Sequence, residues 1–324
     1  MRSTSDLKKF IETSIKELQL SGNPAELYDP IRYMIDLGGK RIRPVLVLMG
    51  TELFGGNPED VVSPALGIEV FHNFTLLHDD IMDKAPLRRN METVHKKWNS
   101  DIAILSGDTM FVFSCQQMMK VKDQHLRSVL EVFHKTAIEV CEGQQLDMNF
   151  ETMSDVSIDD YIHMISLKTA VLLGCSLSIG AICANALPED VQRIYDFGKN
   201  LGIAFQLHDD ILDVYGDADK FGKQVGGDII SNKKTFLLLS AMKTATGILK
   251  NELTEWINKK DFNPAVKVEA VKTIFNSLQV RESAEKEMDK YYEAALANLS
   301  SIRVEGDRKA PLISLAENLM VRES

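Results

Sequence analysis

Cysteine is scarce in this chain: the four, Cys115, Cys141, Cys175 and Cys183, lie in apolar stretches with no CxxC pair among them. That argues against a disulfide-stapled scaffold and a thiolate zinc site, and it predicts small buried hydrophobes in a reducing compartment. Proline is sparse too, nine in 324 residues, and falls beside plausible helix starts and turns. Sustained strand-like alternation, low-complexity segments, long heptad runs and linker-like shifts of composition are all absent. Positive charge is in deficit: the formal net charge is -10, which excludes a nucleic-acid binder working through clustered Lys and Arg. No P-loop, GxGxxG fingerprint, Ser-His-Asp order or zinc-spaced histidine pair stands out.

Charges at Asp6, Lys8, Lys9, Glu12, Lys16 and Glu17 deny Met1 to Leu20 the apolar centre of a secretory signal, so a cytoplasmic protein is expected. The uncharged run Ala170 to Leu187 has about the length that spans a bilayer. Gly174, Ser176, Ser178, Gly180 and Asn185 within it point instead to a buried core helix, with no stable membrane insertion.

What is abundant is helical periodicity. Apolar residues recur at Leu7, Phe10, Ile11, Ile15 and Leu18, and again at Leu126, Val129, Leu130, Phe133, Ala137 and Val140. With 44% hydrophobic and 26% charged residues, the chain can bury a large core. We expect an all-α fold in a single domain over residues 1–324.

One internal echo carries chemistry. Leu77-His78-Asp79-Asp80-Ile81-Met82-Asp83 returns as Leu207-His208-Asp209-Asp210-Ile211-Leu212-Asp213. On a helix, residues four apart share a face, so Asp79 pairs with Asp83 and Asp209 with Asp213, while Asp80 and Asp210 turn aside. Apolar residues precede both clusters, placing the carboxylates at the polar ends of buried helices. Two such charges about 4 Å apart repel by roughly 4 kcal/mol at an effective dielectric of 20, so compensating cations are expected. Magnesium fits: it prefers oxygen ligands and is commonly held by one or two carboxylates together with substrate phosphates.

The cations are distributed to match. Gly38-Gly39-Lys40-Arg41-Ile42-Arg43 sets three of them around a turn before a helix expected near Ile42, where free N–H groups favour an anion. Arg88 and Arg89 follow Asp83 and, being adjacent, point in different directions. Lys168-Thr169 opens a buried stretch in which an ammonium needs a partner. Lys223 and Lys233-Lys234 follow the second cluster across a Gly-rich loop, and His72 shares a helix face with Asp79.

In order along the chain, Gly39-Lys40 with Arg43, His72, Asp79 to Asp83 with Arg88-Arg89, Lys168-Thr169, Gln206 with Asp209 to Asp213, and Lys223 with Lys233 resemble the motifs of trans-isoprenyl diphosphate synthases, the polyprenyl synthetase family. The resemblance covers nearly the whole chain. It implies a helical bundle around a deep cavity, usually homodimeric, with the two aspartate clusters facing each other at the cavity mouth. It also implies magnesium, three ions per active site, with Asp79, Asp83 and Asp209 as direct ligands and Asp80, Asp210 and Asp213 in support. Arg88, Lys168, Thr169, Gln206, Lys223 and Lys233 would hold an allylic diphosphate. Gly39, Lys40, Arg43, His72 and Arg89 would hold isopentenyl diphosphate. The implied reaction condenses the two substrates into a linear all-trans product. Asn90 and Glu92 depart from the glycine and proline common after the two arginines, and neither change removes a charged ligand.

Phe74 and Thr75 lie about one turn before Asp79, beneath a tail descending from it, because helical side chains lean toward the N-terminus. Phe74 is the expected floor, setting a C15 or C20 product, with C20 favoured. A class I terpene cyclase is the alternative from the same fold, but its second metal motif is usually Asn/Ser/Glu rather than Asp209 to Asp213, and it needs no second diphosphate pocket. A non-catalytic subunit of a heteromeric synthase would bind diphosphates without turnover of its own.

Overall fold

The computed structural model describes residues 2–216 and 226–321. Within them the chain is all-α, as expected, apart from one very small hairpin, and it packs as two compact units. The first comprises Met1–Lys135, Cys175–Tyr195 and Ile302–Leu312, and the second Thr136–Gly174, Asp196–Ser301 and Ile313–Ser324.

The first unit contains α1 (Thr4–Glu17), α2 (Ala25–Asp36), α3 (Ile42–Leu53), α4 (Val62–Met82), the short α5 (Val94–Lys97) and α6 (Ser100–Met118). Local sequence sets the starts. Ser3 accepts the Asp6 N–H at 3.1 Å and Asn99 accepts the Ile102 N–H at 2.8 Å, caps worth about 1 kcal/mol each. Val70 and Leu77 of α4 pack with Ile31 and Met34 of α2 and with Ala103 and Met110 of α6. This apolar seam runs to the last turn of α4, where the aspartates begin.

Between α4 and α5 the chain makes an antiparallel hairpin of β1 (Leu87–Arg88) with β2 (Met91–Glu92). Its turn residues Arg89 and Asn90 both have positive φ, 54° and 64°, the backbone that matches the twist of paired strands. Strands this short have no periodicity to read, so no sequence pattern announces them.

Among the described residues the remaining α-helices are α7 (Asp123–Thr152), α8 (Ile158–Ile165), α9 (Val171–Cys183), α10 (Pro188–Tyr215), α11 (Gly227–Ser231), α12 (Phe236–Thr244), α13 (Gly247–Asn258), α14 (Pro264–Ser277), α15 (Val280–Ser301) and α16 (Gly306–Met320). A π-helical turn, Ser166–Ala170, joins α8 to α9. Ser157 and Asp160 form a capping box at the start of α8. Tyr161, Leu207, Ile211, Phe236, Leu237 and Phe275 belong to the second unit's core.

Ile158–Cys183 is long and apolar enough to cross a membrane by length and composition, yet 83% of its most apolar window is buried. The run is a core helix, as its small and polar residues imply. Of the cysteines only Cys175 is fully buried, and Cys141 is exposed. The expectation of four buried thiols fails at Cys141 because it lies on the outward face of α7 in step with exposed Ile138 and Gln145.

Candidate active site

The first aspartate cluster closes α4. Asp83 is the C-cap, its N–H on the Asp79 carbonyl at 2.9 Å, which leaves the two side chains one turn apart. Asp80 turns inward to 2% exposure. Arg88, delivered by β1, grips it with both prongs, Nε at 2.7 Å and Nη2 at 2.8 Å, and also lies 3.7 Å from Asp79. Burial pushes the Asp80 carboxyl up, and Arg88 pulls it the other way. The inference that these buried carboxylates need metal is therefore too strong for Asp80, whose compensation is already in the chain.

The tight hairpin makes the adjacent arginines diverge. Arg89 donates to the Gly38 carbonyl and lies over Gly39, where a Cβ would come within 2.9 Å of its guanidinium. Gly38 and Gly39 have φ of 79° and 143°, backbone that favours glycine. α3 starts at Ile42, where the sequence placed it. Of the three cations at this turn, Arg41 is structural: it is 7% exposed, pairs with buried Glu69 and donates to the Ile35 carbonyl at 2.7 Å. Lys40 is exposed. Arg43 Nη1 lies 3.1 Å from His72 Nε2. Burial, then the charges of Arg43, Arg89, Arg88 and Arg41, hold His72 well below its ordinary value, and burial lowers Arg43 to about 10. His72 is thus neutral at pH 7, with Nε2 accepting from Arg43 and Nδ1–H available as a donor.

The second cluster ends α10 and is organised differently. Asp210 is 4% exposed and its hydrogen-bond partners are neutral: Tyr161 donates its hydroxyl, and Gln206 donates Nε2–H at 3.1 Å. Thr169 Oγ1 in turn donates to Gln206 Oε1 at 3.2 Å. Burial, then the charge of Asp228, pushes the Asp210 carboxyl up to about 8. Asp213 accepts the Asp228 N–H at 3.0 Å, so it is held by backbone as well.

Lys168 sits in the π turn and finds the partner its burial demands, donating to Asp147 Oδ2 at 2.6 Å. Gly143, one turn before Asp147, lets α7 approach this closely, since a Cβ there would stand 2.3 Å from the backbone nitrogen of Lys168. Burial raises the Asp147 carboxyl, but Lys233 and Lys168 more than offset it and the net shift is downward. Lys233 itself is exposed. Lys223 lies outside the described residues.

Phe74 is one plate in a set of aromatic rings, 4.8 Å from His78, 5.5 Å from Phe111 and 5.6 Å from Phe71. Thr75 bends back to donate to the His72 carbonyl at 2.8 Å. Sequence reasoning missed Asp147, Tyr161, Asp228 and Glu69. Only Asp147 left a trace, in the demand of Lys168 for a counter-charge. Among the described residues, no group of three or more His, Cys, Asp and Glu side chains could hold a metal ion alone.

These elements define a helical enzyme equipped for highly anionic substrates. The polyprenyl synthetase family model matches residues 24–275. A geranylgeranyl diphosphate synthase from Methanosarcina mazei is 39% identical over 235 residues, 72% of each chain. A geranylfarnesyl diphosphate synthase from Natronomonas pharaonis is 37% identical over 255 residues, 73% of this chain and 75% of its own. The crystal structure of a geranylgeranyl pyrophosphate synthase superposes with a TM-score of 0.95 at 42% identity, covering 100% of both chains. The chain belongs to the polyprenyl synthetase family and is a prenyltransferase.

Proposed function

We propose that this enzyme condenses isopentenyl diphosphate with an allylic diphosphate to give a linear C20 all-trans prenyl diphosphate. The observation that carries this reading is the gathering of Arg43, His72 and Arg89 around the Gly38-Gly39 turn. It gives the first unit a basic cluster distinct from Arg88, whose fork is oriented by Asp80. A cyclase, which only ionises one diphosphate, has no use for it. Gly39, Lys40, Arg43, His72 and Arg89 are the proposed isopentenyl diphosphate ligands, with the neutral His72 Nδ1–H as a donor. Lys168, Thr169, Gln206, Lys233 and Lys223 are proposed for the allylic diphosphate, together with Arg88.

Asp79, Asp83 and Asp209 are the proposed ligands for magnesium, three ions per active site. The donors are hard oxygens, and the lack of a self-sufficient cluster among the described residues suits an ion that completes its shell with water and substrate phosphate. When bound, magnesium supplies positive charge that stabilises the departing diphosphate. Lys168, held by Asp147, and Lys233 take up negative charge on that group as the allylic C–O bond breaks. The isopentenyl double bond then attacks the allylic cation, and the released diphosphate accepts the proton lost from the adduct. Asp80, Asp210 and Asp213 act by positioning, Asp80 on Arg88, Asp210 on Gln206 and Asp213 on the Asp228 backbone.

The relatives named for geranylgeranyl products and the position of Phe74 before Asp79 support C20. Removing the ring in Phe74→Ala is expected to lengthen the products seen by reverse-phase chromatography of the dephosphorylated alcohols, and an unchanged distribution from a folded, active variant sinks this floor. Lys40→Gln and Arg89→Gln are each expected to raise the KM for isopentenyl diphosphate about tenfold while sparing the allylic KM. Hydrocarbon release without isopentenyl diphosphate would favour the cyclase. Turnover only with a partner chain would favour the non-catalytic subunit.

The reading takes residues 1–324 as one catalytic domain, supported by a family match that runs through segments of both units. It also takes the enzyme as a cytoplasmic homodimer. Ile104, Leu105, Val112 and Met119, exposed at or just beyond α6, support a second copy as its partner. Light scattering that gives the mass of a single chain would contradict this.

A further inference from the structure

Lys267 has no part in the chemistry above, yet it is 1% exposed. It lies near the start of α14, whose N-cap Asn263 and Pro264 fix the helix origin. A cation there meets the positive end of the helix dipole and gives up its hydration. Its partners are neutral: Nζ donates to the Ile230 carbonyl at 3.1 Å and to Asn232 Oδ1 at 2.6 Å, and stands 4.3 Å from the Phe262 ring centre. Among the described residues no carboxylate forms an ion pair with it. An ammonium buried without a counter-charge is costly, and what it adds here is the pair of hydrogen bonds to the Ile230 carbonyl and Asn232 Oδ1, which tie two consecutive turns of the chain together.

What Lys267 holds is the rear of the stretch from Gly226 to Asn232. The front is fixed by Asp213, whose carboxylate accepts the Asp228 N–H at 3.0 Å and whose carbonyl accepts that of Gly226 at 2.6 Å. The rear is the left-handed residue Asn232, φ 54°, which caps α11 and donates to the Ile257 carbonyl at 3.0 Å. Val268, next to Lys267, packs on Gly226 so closely that a Cβ there would meet it at 2.7 Å. The start of α14 thus seats both ends of the segment. Lys233 comes directly after Asn232, with its N–H on the Asp228 carbonyl at 2.9 Å and its charge acting on Asp147 and Asp210.

We propose that Lys267 is a positioning residue for diphosphate binding: it fixes the left-handed turn at Asn232 and so holds Lys233 within electrostatic reach of Asp147 and Asp210. The inference rests on the reading of Lys233 as a ligand of the allylic diphosphate. The test is steady-state kinetics of the full chain with magnesium, varying each substrate in turn, on Lys267→Met and Lys233→Ala in parallel, with thermal unfolding of both.

Lys267→Met is expected to raise the allylic KM about tenfold and to leave the KM for isopentenyl diphosphate within about twofold. Its unfolding midpoint is expected to fall modestly, because the Ile230 carbonyl and Asn232 Oδ1 lose their donor. Should Lys267→Met not fold, Asn232→Gly takes its place: it keeps the positive φ, removes the side-chain bonds, and is expected to give the same split. An unchanged allylic KM in the folded variant overturns the proposal. So does an equal rise in both KM values, the mark of a purely structural residue. If Lys233→Ala raises the allylic KM while Lys267→Met does not, the reading of Lys233 stands and only the proposal falls. If Lys233→Ala changes nothing, the reading of Lys233 fails and takes the proposal with it.

Discussion

The two aspartate clusters share nearly the same seven residues and solve the same electrostatic problem in opposite ways. In the first unit the buried member, Asp80, is gripped by the Arg88 fork at 2.7 and 2.8 Å. In the second unit its counterpart, Asp210, is met among the described residues by neutral donors, Tyr161 and Gln206, and burial and the charge of Asp228 push its carboxyl up to about 8. A sequence echo therefore specifies a shared arrangement of carboxylates but not a shared charge state, because the partner that decides the charge comes from elsewhere in the fold.

Three experiments press on this contrast. The largest effect is expected where the clusters are alike: Asp79→Ala and Asp209→Ala should each lower kcat by about 10²- to 10³-fold, the usual loss when transition-state charge stabilisation is removed. A large loss from one and little from the other would show that the pair does not do equivalent work. Next comes the cost of removing each buried partner in metal-free protein, read by urea unfolding. Arg88→Met strands a buried carboxylate and is expected to cost about 3 kcal/mol, whereas Tyr161→Phe removes one of two neutral donors and is expected to cost about 1 kcal/mol. Equal costs would erase the distinction.

The smallest effect is in pH. The folded value of Asp210 is raised above its unfolded one, so its contribution to stability is full below the ordinary carboxylate range, declines as pH rises, and is gone above about 8. Asp210→Asn, a fixed mimic of the neutral acid, is expected to gain steadily in stability over the metal-free wild type as pH rises from about 4 to about 8. Parallel stability curves for the two proteins would show that Asp210 does not carry this shift.

The fold class was legible because helical periodicity is a local property, as in Leu7, Ile11 and Leu18, and so was the start of α3 after Gly38-Gly39. The hairpin at Arg89-Asn90 was not, since two residues per strand leave no pattern. The aspartates and most of the cations around them were legible as motifs. Which cations are available for substrate was not. Arg41 and Arg43 read alike in sequence, but Arg41 meets Glu69, 28 residues on, and is used up in the fold. Tyr161 lies 49 residues before Asp210, and nothing near either residue announces their contact. Lys168 marks the middle ground: its sequence context demanded a counter-charge, and only the close approach at Gly143 reveals that Asp147 provides it.

The most direct test is to incubate purified protein with labelled isopentenyl diphosphate and, separately, dimethylallyl, geranyl or farnesyl diphosphate, with magnesium and with chelator. The products are dephosphorylated and the alcohols separated by chromatography. The account expects linear alcohols, C20 foremost, that vanish on chelation. No elongation from any primer in the presence of magnesium, or elongation undiminished without it, would contradict it.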